Sequence, residues 1–206
     1  MKTLTRYLET VLATAQAGLT YSKDPFDIER FIKLEAATAA FLAKAVDVPE
    51  QAVLSWICLD ENYPTPKLDV RAIILDDLAR VLLVKEASDG LWTLPGGWCD
   101  IGESASVAVT REVQEETGLI VSPVRFLALF DKLKHGHPPQ LPHAHKAFFL
   151  CRATGGSLRQ QTNETTAAGF FYTHCLPELS EHRVLKSQIE ILCQRIESGN
   201  TETLFD

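Results

Sequence analysis

Between positions 91 and 119 the chain reads LWTLPGGWCDIGESASVAVTREVQEETGL, and this stretch constrains the fold more tightly than any other. A short apolar strand runs into a glycine turn. The apolar positions that follow repeat with a helical period, and the spacing predicts a helix over 104–117. Gly118 is suited to stop it, because a helix end commonly takes a left-handed residue there. At about 100° per residue, Glu112, Glu115 and Glu116 fall within an arc of roughly 100°. Val109 and Val113 lie to one side, on the face expected to pack against a sheet. Arg111 precedes Glu115 by four residues, a spacing that allows an ion pair.

Two readings of these acids compete. One is a solvated acidic face with a single Arg111–Glu115 pair. The other is a cation site. Three features favour the second. Glu115 and Glu116 sit in the last turn, where the helix dipole disfavours anions. Like charges three and four residues apart repel by a few tenths of a kcal/mol, roughly, per pair. Three glycines (Gly96, Gly97, Gly102) in the loop feeding the helix allow close backbone approach. A hard divalent cation such as Mg²⁺ takes carboxylate oxygens and is commonly shared with substrate phosphates.

The flanking sequence splits in two. Residues 4–19 place Leu4, Leu8, Val11, Leu12, Ala15 and Leu19 at helical spacing, with Gly18 and the residues after it expected to end the helix. Asp24-Pro25 reads as an N-cap and first helical position for a second helix carrying Ile28, Phe31, Ile32, Ala39 and Leu42. Pro49 is expected to open a short third piece. DENYPTP at 60–66 has two prolines and no periodicity, and marks the linker.

Beyond the linker, LDVRAIIL, RVLLV, LWT, VRFLALFD, KAFFLCR and GFFY read as strands, and HRVLKSQIEILCQRIE as a closing helix. Strands interleaved with two substantial helices imply a mixed sheet between helices.

The net charge is −7, which argues against a nucleic-acid backbone as partner. It leaves room for a small phosphorylated substrate if a cation mediates. No run of about 18 apolar residues exists, so no membrane span is expected. The first twenty residues lack a continuous apolar core, so no secretory signal is expected. Cys58, Cys99, Cys151, Cys175 and Cys193 are odd in number and scattered, and read as reduced thiols of a cytoplasmic protein.

Gly97, Glu103, Arg111, Glu112, Val113, Glu115, Glu116, Gly118 and Leu119 together fill the Nudix box without departure. The box is Gly, five residues, Glu, seven residues, Arg-Glu, an aliphatic, any residue, Glu-Glu, any residue, Gly, an aliphatic. On these residues the chain resembles the Nudix superfamily of pyrophosphohydrolases, which use Mg²⁺ or Mn²⁺. The resemblance implies an α/β fold: a Nudix α/β/α sandwich with a mixed sheet over 64–206, preceded by a small all-helical domain over 1–63. It implies Glu112 and Glu116 as main metal ligands, with the Gly97 carbonyl as a further one. Glu115 is a further ligand or a water-orienting group. Glu103 and Arg111 brace the loop and helix, with contact to a second metal's water shell the alternative for Glu103. A general base outside the box is expected in the loop QQTNETTAAGFF, where Glu164 is the match.

AQAGLTYSKDPFDIERF, YPTPKLDVRAIIL, DGLWTLPGGW and HGHPP…HKAFFLCRATGGSL resemble a Nudix subgroup with a helical N-terminal domain. That subgroup includes CDP-choline pyrophosphatase and ADP-ribose pyrophosphatases. The implied reaction cleaves a nucleoside diphosphate linked to X into a nucleoside monophosphate and phosphorylated X, in a homodimer made by the N-terminal helices, which are also expected to shape the substrate pocket. Two alternatives are a Nudix hydrolase of damaged nucleoside triphosphates and a non-catalytic Nudix-fold nucleotide sensor. Sensors often lose box carboxylates, and all are present here.

Other candidates lie outside the box. Arg71, Lys132 and Lys146 are cations near strand ends, weighed as phosphate contacts against plain surface charge. Tyr21, Tyr63 and Trp98 are candidates to stack on a base. His135, His137, His143 and His145 share one proline-rich loop. A substrate contact, with His145 the candidate, is weighed against a solvated loop. Zinc is conceivable, but their spacing matches no zinc motif.

Overall fold

The computed structural model describes residues 2–45, 49, 53, 63–138 and 142–206. The helical piece expected from Pro49, Cys58, and linker positions 60–62 lie outside or largely outside these residues. There are two compact units: residues 1–66 with 139–142, and residues 67–138 with 143–206.

The first unit holds helices α1 (Lys2–Tyr21) and α2 (Pro25–Ala45). Asp24 caps α2, its Oδ1 accepting the N–H groups of Phe26 (2.9 Å) and Asp27 (3.1 Å). Pro25 opens the helix without the N–H that a first-turn residue does not need. Leu8, Leu12, Ala39, Leu42, Ala43 and Val53 form the buried cluster. Helix α1 runs through Gly18 rather than stopping there. A Cβ at Gly18 would sit 2.5 Å from the Phe31 ring, so this glycine is a close-packing position between the helices. No described helix is long and apolar enough to cross a membrane.

The second unit contains strands β1 (Lys67–Ile73), β2 (Val81–Glu86), β3 (Trp92–Thr93), β4 (Leu119–Asp131), β5 (Ala144–Gly156), β6 (Thr165–Phe171) and β7 (Leu204–Phe205). Its helices are α3 (Ala105–Thr117) and α4 (Lys186–Glu197). A four-stranded mixed sheet runs β1-β5-β4-β7, and a three-stranded sheet runs β3-β2-β6. The alternation of a strand's side chains sorts the core into two faces. Val70, Ala72, Ile74, Leu82, Ala147, Phe149 and Cys151 pack with Ala108, Val109 and Val113 of α3. Their neighbours Ile73, Val81, Leu83 and Phe148 pack with Ile189, Leu192 and Cys193 of α4. The sheet is therefore covered on both faces, an α/β/α arrangement. This explains why AIIL and VLLV are apolar throughout instead of alternating.

Helix α4 starts at Lys186, four residues later than the sequence pattern suggests, because Arg183 and Val184 turn back to the Ser180 carbonyl. Cys99, Cys151, Cys175 and Cys193 are all free thiols.

Residues 95–98 lie along the edge of β1 that β5 leaves open. The Ala72 N–H donates to Pro95 O (2.9 Å), Val70 N–H to Gly97 O (2.8 Å), and Cys99 N–H to Leu68 O (2.9 Å). The glycine loop is thereby fixed beside the start of α3.

Candidate active site

Helix α3 carries the site and is closed at both ends. Ser104 caps it by accepting the Val107 N–H at 3.3 Å. Gly118 ends it with φ 73° and donates its N–H to Gln114 O. Val109 and Val113 anchor the apolar face, which turns Glu112 (8% exposed) and Glu116 (4%) inward and leaves Glu115 exposed. Two of the three acids are therefore not a solvated face.

The glycines make this possible. Gly96 has φ 138°, and a Cβ there would collide with the Val70 carbonyl. Its N–H donates to Glu116 Oε2 at 2.8 Å. A Cβ at Gly97 would sit 2.8–2.9 Å from the Glu112 carboxylate, so only glycine leaves that carboxylate its position. The Gly97 carbonyl accepts the Val70 N–H, and its second lone pair remains available.

Arg111 binds the acids together. Its guanidinium donates to both oxygens of Glu103 (2.9 and 3.0 Å), to Glu112 Oε1 (2.9 Å), to Glu115 Oε2 (2.9 Å) and to the Trp98 carbonyl (3.2 Å). The Glu103 carboxyl is held below its ordinary range by the Arg111 hydrogen bonds. Glu112 is pushed up by burial, against the pull of Arg111. Burial pushes Glu116 up to about 8, aided by the charges of Glu86 and Glu112, against Arg71 and the Gly96 N–H. A buried carboxyl in this state gains from a nearby cation.

Glu164 approaches from the loop between β5 and β6. One oxygen each from Glu112, Glu116 and Glu164 lie within 4.8 Å of one another. The loop is tied down: Thr165 Oγ1 donates to the Glu116 carbonyl (3.0 Å), and the Ala87 N–H to Glu164 O (2.9 Å). Beside this group lies a cleft of about 430 Å³ lined by Arg111, Gln114, Glu115, Gly118 and Arg159. Another of about 490 Å³ shares Glu115 and Arg159 and adds Thr162, Asn163 and Glu164.

The remaining sequence candidates scatter. Arg71 and Lys146 were expected near strand ends but are buried, 4% and 1% exposed. Asp69 accepts from Arg71 Nε (2.7 Å), Arg71 Nη2 (3.0 Å) and Lys146 Nζ (3.0 Å). Burial alone would raise the Asp69 carboxyl, but these two cations hold it down at about 2. Arg71 also lends its field to Glu116 and Glu86. Lys132 is buried in the 3₁₀ turn after β4. Trp98 is exposed at the glycine loop, whereas Tyr21 belongs to the helical unit, 6.2 Å from the Tyr63 ring. His145 lies at the β4–β5 end with Asp131 and His143, outside the acidic group.

Sequence reasoning missed Asp69, Glu86, Arg159 and Arg183. Glu86 is buried at the end of β2, bonded to Arg183 (3.1 Å). Nothing in the alternation of β2 marks it. Arg159 sits in a polar loop with no periodicity, where a lone cation carries no signal.

Residues 65–190 match the NUDIX domain, and residues 2–57 match the UDP-X-like, N-terminal oligomerisation domain. YjhB of Bacillus subtilis (strain 168), a candidate ADP-ribose pyrophosphatase, is 38% identical across 100% of both chains. The crystal structure of an ADP-ribose pyrophosphatase from Streptococcus suis 89-1591 is 42% identical, covering 69% of this chain and 100% of that one, with a TM-score of 0.62. That of a UDP-X diphosphatase is 33% identical, covering 98% and 97%, with a TM-score of 0.64.

Proposed function

The chain belongs to the Nudix hydrolase family, and from that premise we propose that it hydrolyses the phosphoanhydride of a nucleoside diphosphate linked to X. The products are a nucleoside monophosphate and phosphorylated X. ADP-ribose and CDP-choline are the leading substrates, ADP-ribose being the one named for a relative of matching length.

The observation that carries this reading is the convergence of Glu112, Glu116 and Glu164 beside a cleft that also holds Arg159. The donor set is all oxygen and anionic, which fits Mg²⁺ or Mn²⁺. Glu112 and Glu116 would hold the ion, with the Gly97 carbonyl and Glu115 as further donors. When bound, the ion supplies positive charge against the diphosphate and makes water a better nucleophile.

The chain's own residues do the rest. Arg111 orients Glu112 and Glu115 and ties them to Glu103 and the Trp98 carbonyl, so loop and helix move as one piece. Arg71 lies buried and tempers the repulsion at Glu116. Glu164, exposed and tethered by its loop, takes the proton from the attacking water. Trp98, exposed on the glycine loop, offers a face to the base. Arg159 offers a guanidinium to the phosphate of X.

The test is phosphate release, coupled to a phosphatase, over ADP-ribose, CDP-choline, UDP-sugars, dinucleotides and nucleoside triphosphates, with and without Mg²⁺ or Mn²⁺. A metal-dependent rate confined to the diphosphate-X compounds is expected. Preference for triphosphates, or silence with both metals, would overturn the reading. In the same assay Arg159→Ala is expected to raise KM about tenfold or more, as loss of a charge-assisted phosphate contact does. An unchanged KM would remove Arg159 from the substrate site.

The proposal extends to assembly. Residues 1–63 form the dimerisation domain in this reading, and 64–206 the hydrolase domain. The helical unit exposes Tyr7, Ile32 and Phe41, and the match of residues 2–57 to an oligomerisation domain supports the reading. Sedimentation equilibrium is expected to give twice the chain mass, and a monomer mass at micromolar concentration would refute it.

A further inference from the structure

We propose that Asp131, His143 and His145 form a second cation site, selective for a divalent transition metal such as Zn²⁺ over Mg²⁺. None of the three belongs to the acidic group on α3, so the inference stands apart from the hydrolase reading.

The histidine spacing alone gives no metal motif. The fold supplies what spacing lacks. His143 and His145 are two residues apart where β5 begins, which puts them on one face. Asp131, the last residue of β4, stands opposite His145 in the antiparallel register. One donor atom from each of the three lies within 4.8 Å of the others. His143 Nε2 is 2.8 Å from Asp131 Oδ1, and the two imidazole rings stand edge to face at 5.4 Å.

The scaffold is rigid where it matters. The His143 carbonyl accepts the Lys67 N–H at 2.9 Å, and His145 is held between β1 and β4. The Asp131 N–H donates to Asp206 Oδ2 (2.5 Å), while His135 Nε2 donates to Asp206 Oδ1 (2.9 Å). Asp131 Oδ1 also accepts the Leu133 N–H at 2.8 Å. The Leu133 N–H fixes the carboxylate itself, and Asp206, braced by His135, fixes the backbone that carries it, as the supports of metal ligands do.

Two imidazole nitrogens and one carboxylate oxygen suit Zn²⁺, Co²⁺ or Ni²⁺, whereas Mg²⁺ prefers oxygen alone. Bonds of about 2.0–2.1 Å place tetrahedral ligands roughly 3.3 Å apart. The three donors lie within 4.8 Å of one another, and side-chain rotation is what must close the difference. All three residues are half-buried, which leaves the remaining coordination to water.

The test uses the full chain, stripped with EDTA and held in millimolar Mg²⁺ to occupy the acidic group. Zn²⁺ is titrated by calorimetry and Co²⁺ by visible absorption. One equivalent of Zn²⁺ is expected to bind despite the Mg²⁺, with a Co²⁺ spectrum of nitrogen-ligated, low-coordinate type. His143→Gln and Asp131→Asn are each expected to weaken Zn²⁺ at least about tenfold, and Glu116→Gln to leave it unchanged. No Zn²⁺ uptake by the unaltered chain would overturn the site. So would an affinity in both variants equal to that of the unaltered chain, or loss of uptake in Glu116→Gln. If a variant melts below the assay temperature, the Co²⁺ spectrum of the unaltered chain still decides: weak octahedral bands of an all-oxygen shell refute the site.

Discussion

Replacing Glu116 with Gln is expected to lower kcat by about 10³-fold or more while the protein stays folded. The substitution keeps the shape of the side chain, and its amide oxygen still accepts the Gly96 N–H that now bonds Oε2. What it removes is a negative charge buried 4% exposed beside Glu112 and within reach of Glu164. A cation site that loses an anionic donor loses both affinity and the geometry that polarises substrate. The variant also has a stability signature. The Glu116 carboxyl is raised from its ordinary 4.5 to about 8 by burial. With its folded value above its unfolded one, the metal-free native state holds the extra proton. Its stabilising contribution is full below about 4.5 and is lost as pH rises through about 8. Metal-free wild type is therefore expected to lose thermal midpoint from pH 5 to pH 9, and Glu116→Gln to lose less. Steady-state kinetics and melting curves across that range check both parts. Activity surviving within a few-fold would refute the ligand role.

Glu164→Gln is expected to cost kcat about 10²–10³-fold, the range for a general base, with KM nearly unchanged. The residue is exposed, unlike Glu112 and Glu116, so a soluble fold and an intact melting temperature are expected. Its distinguishing mark is chemical rescue: formate or acetate should restore part of the variant's rate with KM unchanged. No rescue, together with weakened Mn²⁺ binding, would make Glu164 a ligand or a loop brace instead of the base.

Much of this was legible along the chain because it is local. The cap at Gly118, the apolar face of Val109 and Val113, and the Asp24-Pro25 helix start all depend on residues within one turn. The pairing of Arg111 with Glu115 is likewise four residues long. The rest depends on register. Arg111 reaches Glu103 and the Trp98 carbonyl only because the glycine loop lies along β1. Asp69 and Lys146 are 77 positions apart and meet because β1 and β5 pair them directly. Arg71 and Lys146 looked like surface cations for the same reason: a charge with a buried partner on another strand is indistinguishable in sequence from one in water. Strand β4 begins at Leu119, before the apolar run that marks it, because register shifts around Val121 and Pro123 let the chain keep pairing through Ser122-Pro123. The Asp131–His143–His145 group follows the same rule, its third member coming from the facing strand.

The measurement that bears most directly on the central claim is a Mn²⁺ titration of the EDTA-stripped chain, read by the electron paramagnetic resonance of free Mn²⁺, in wild type and in Glu116→Gln at pH 8.5. The titration is repeated in His143→Gln, which removes any imidazole contribution to uptake. If Glu112 and Glu116 hold the cation that catalysis needs, wild type takes up Mn²⁺ and the variant's affinity falls by at least about tenfold, in step with its lost activity. Equal Mn²⁺ uptake by the two proteins, or full wild-type activity in EDTA without added metal, would contradict the account.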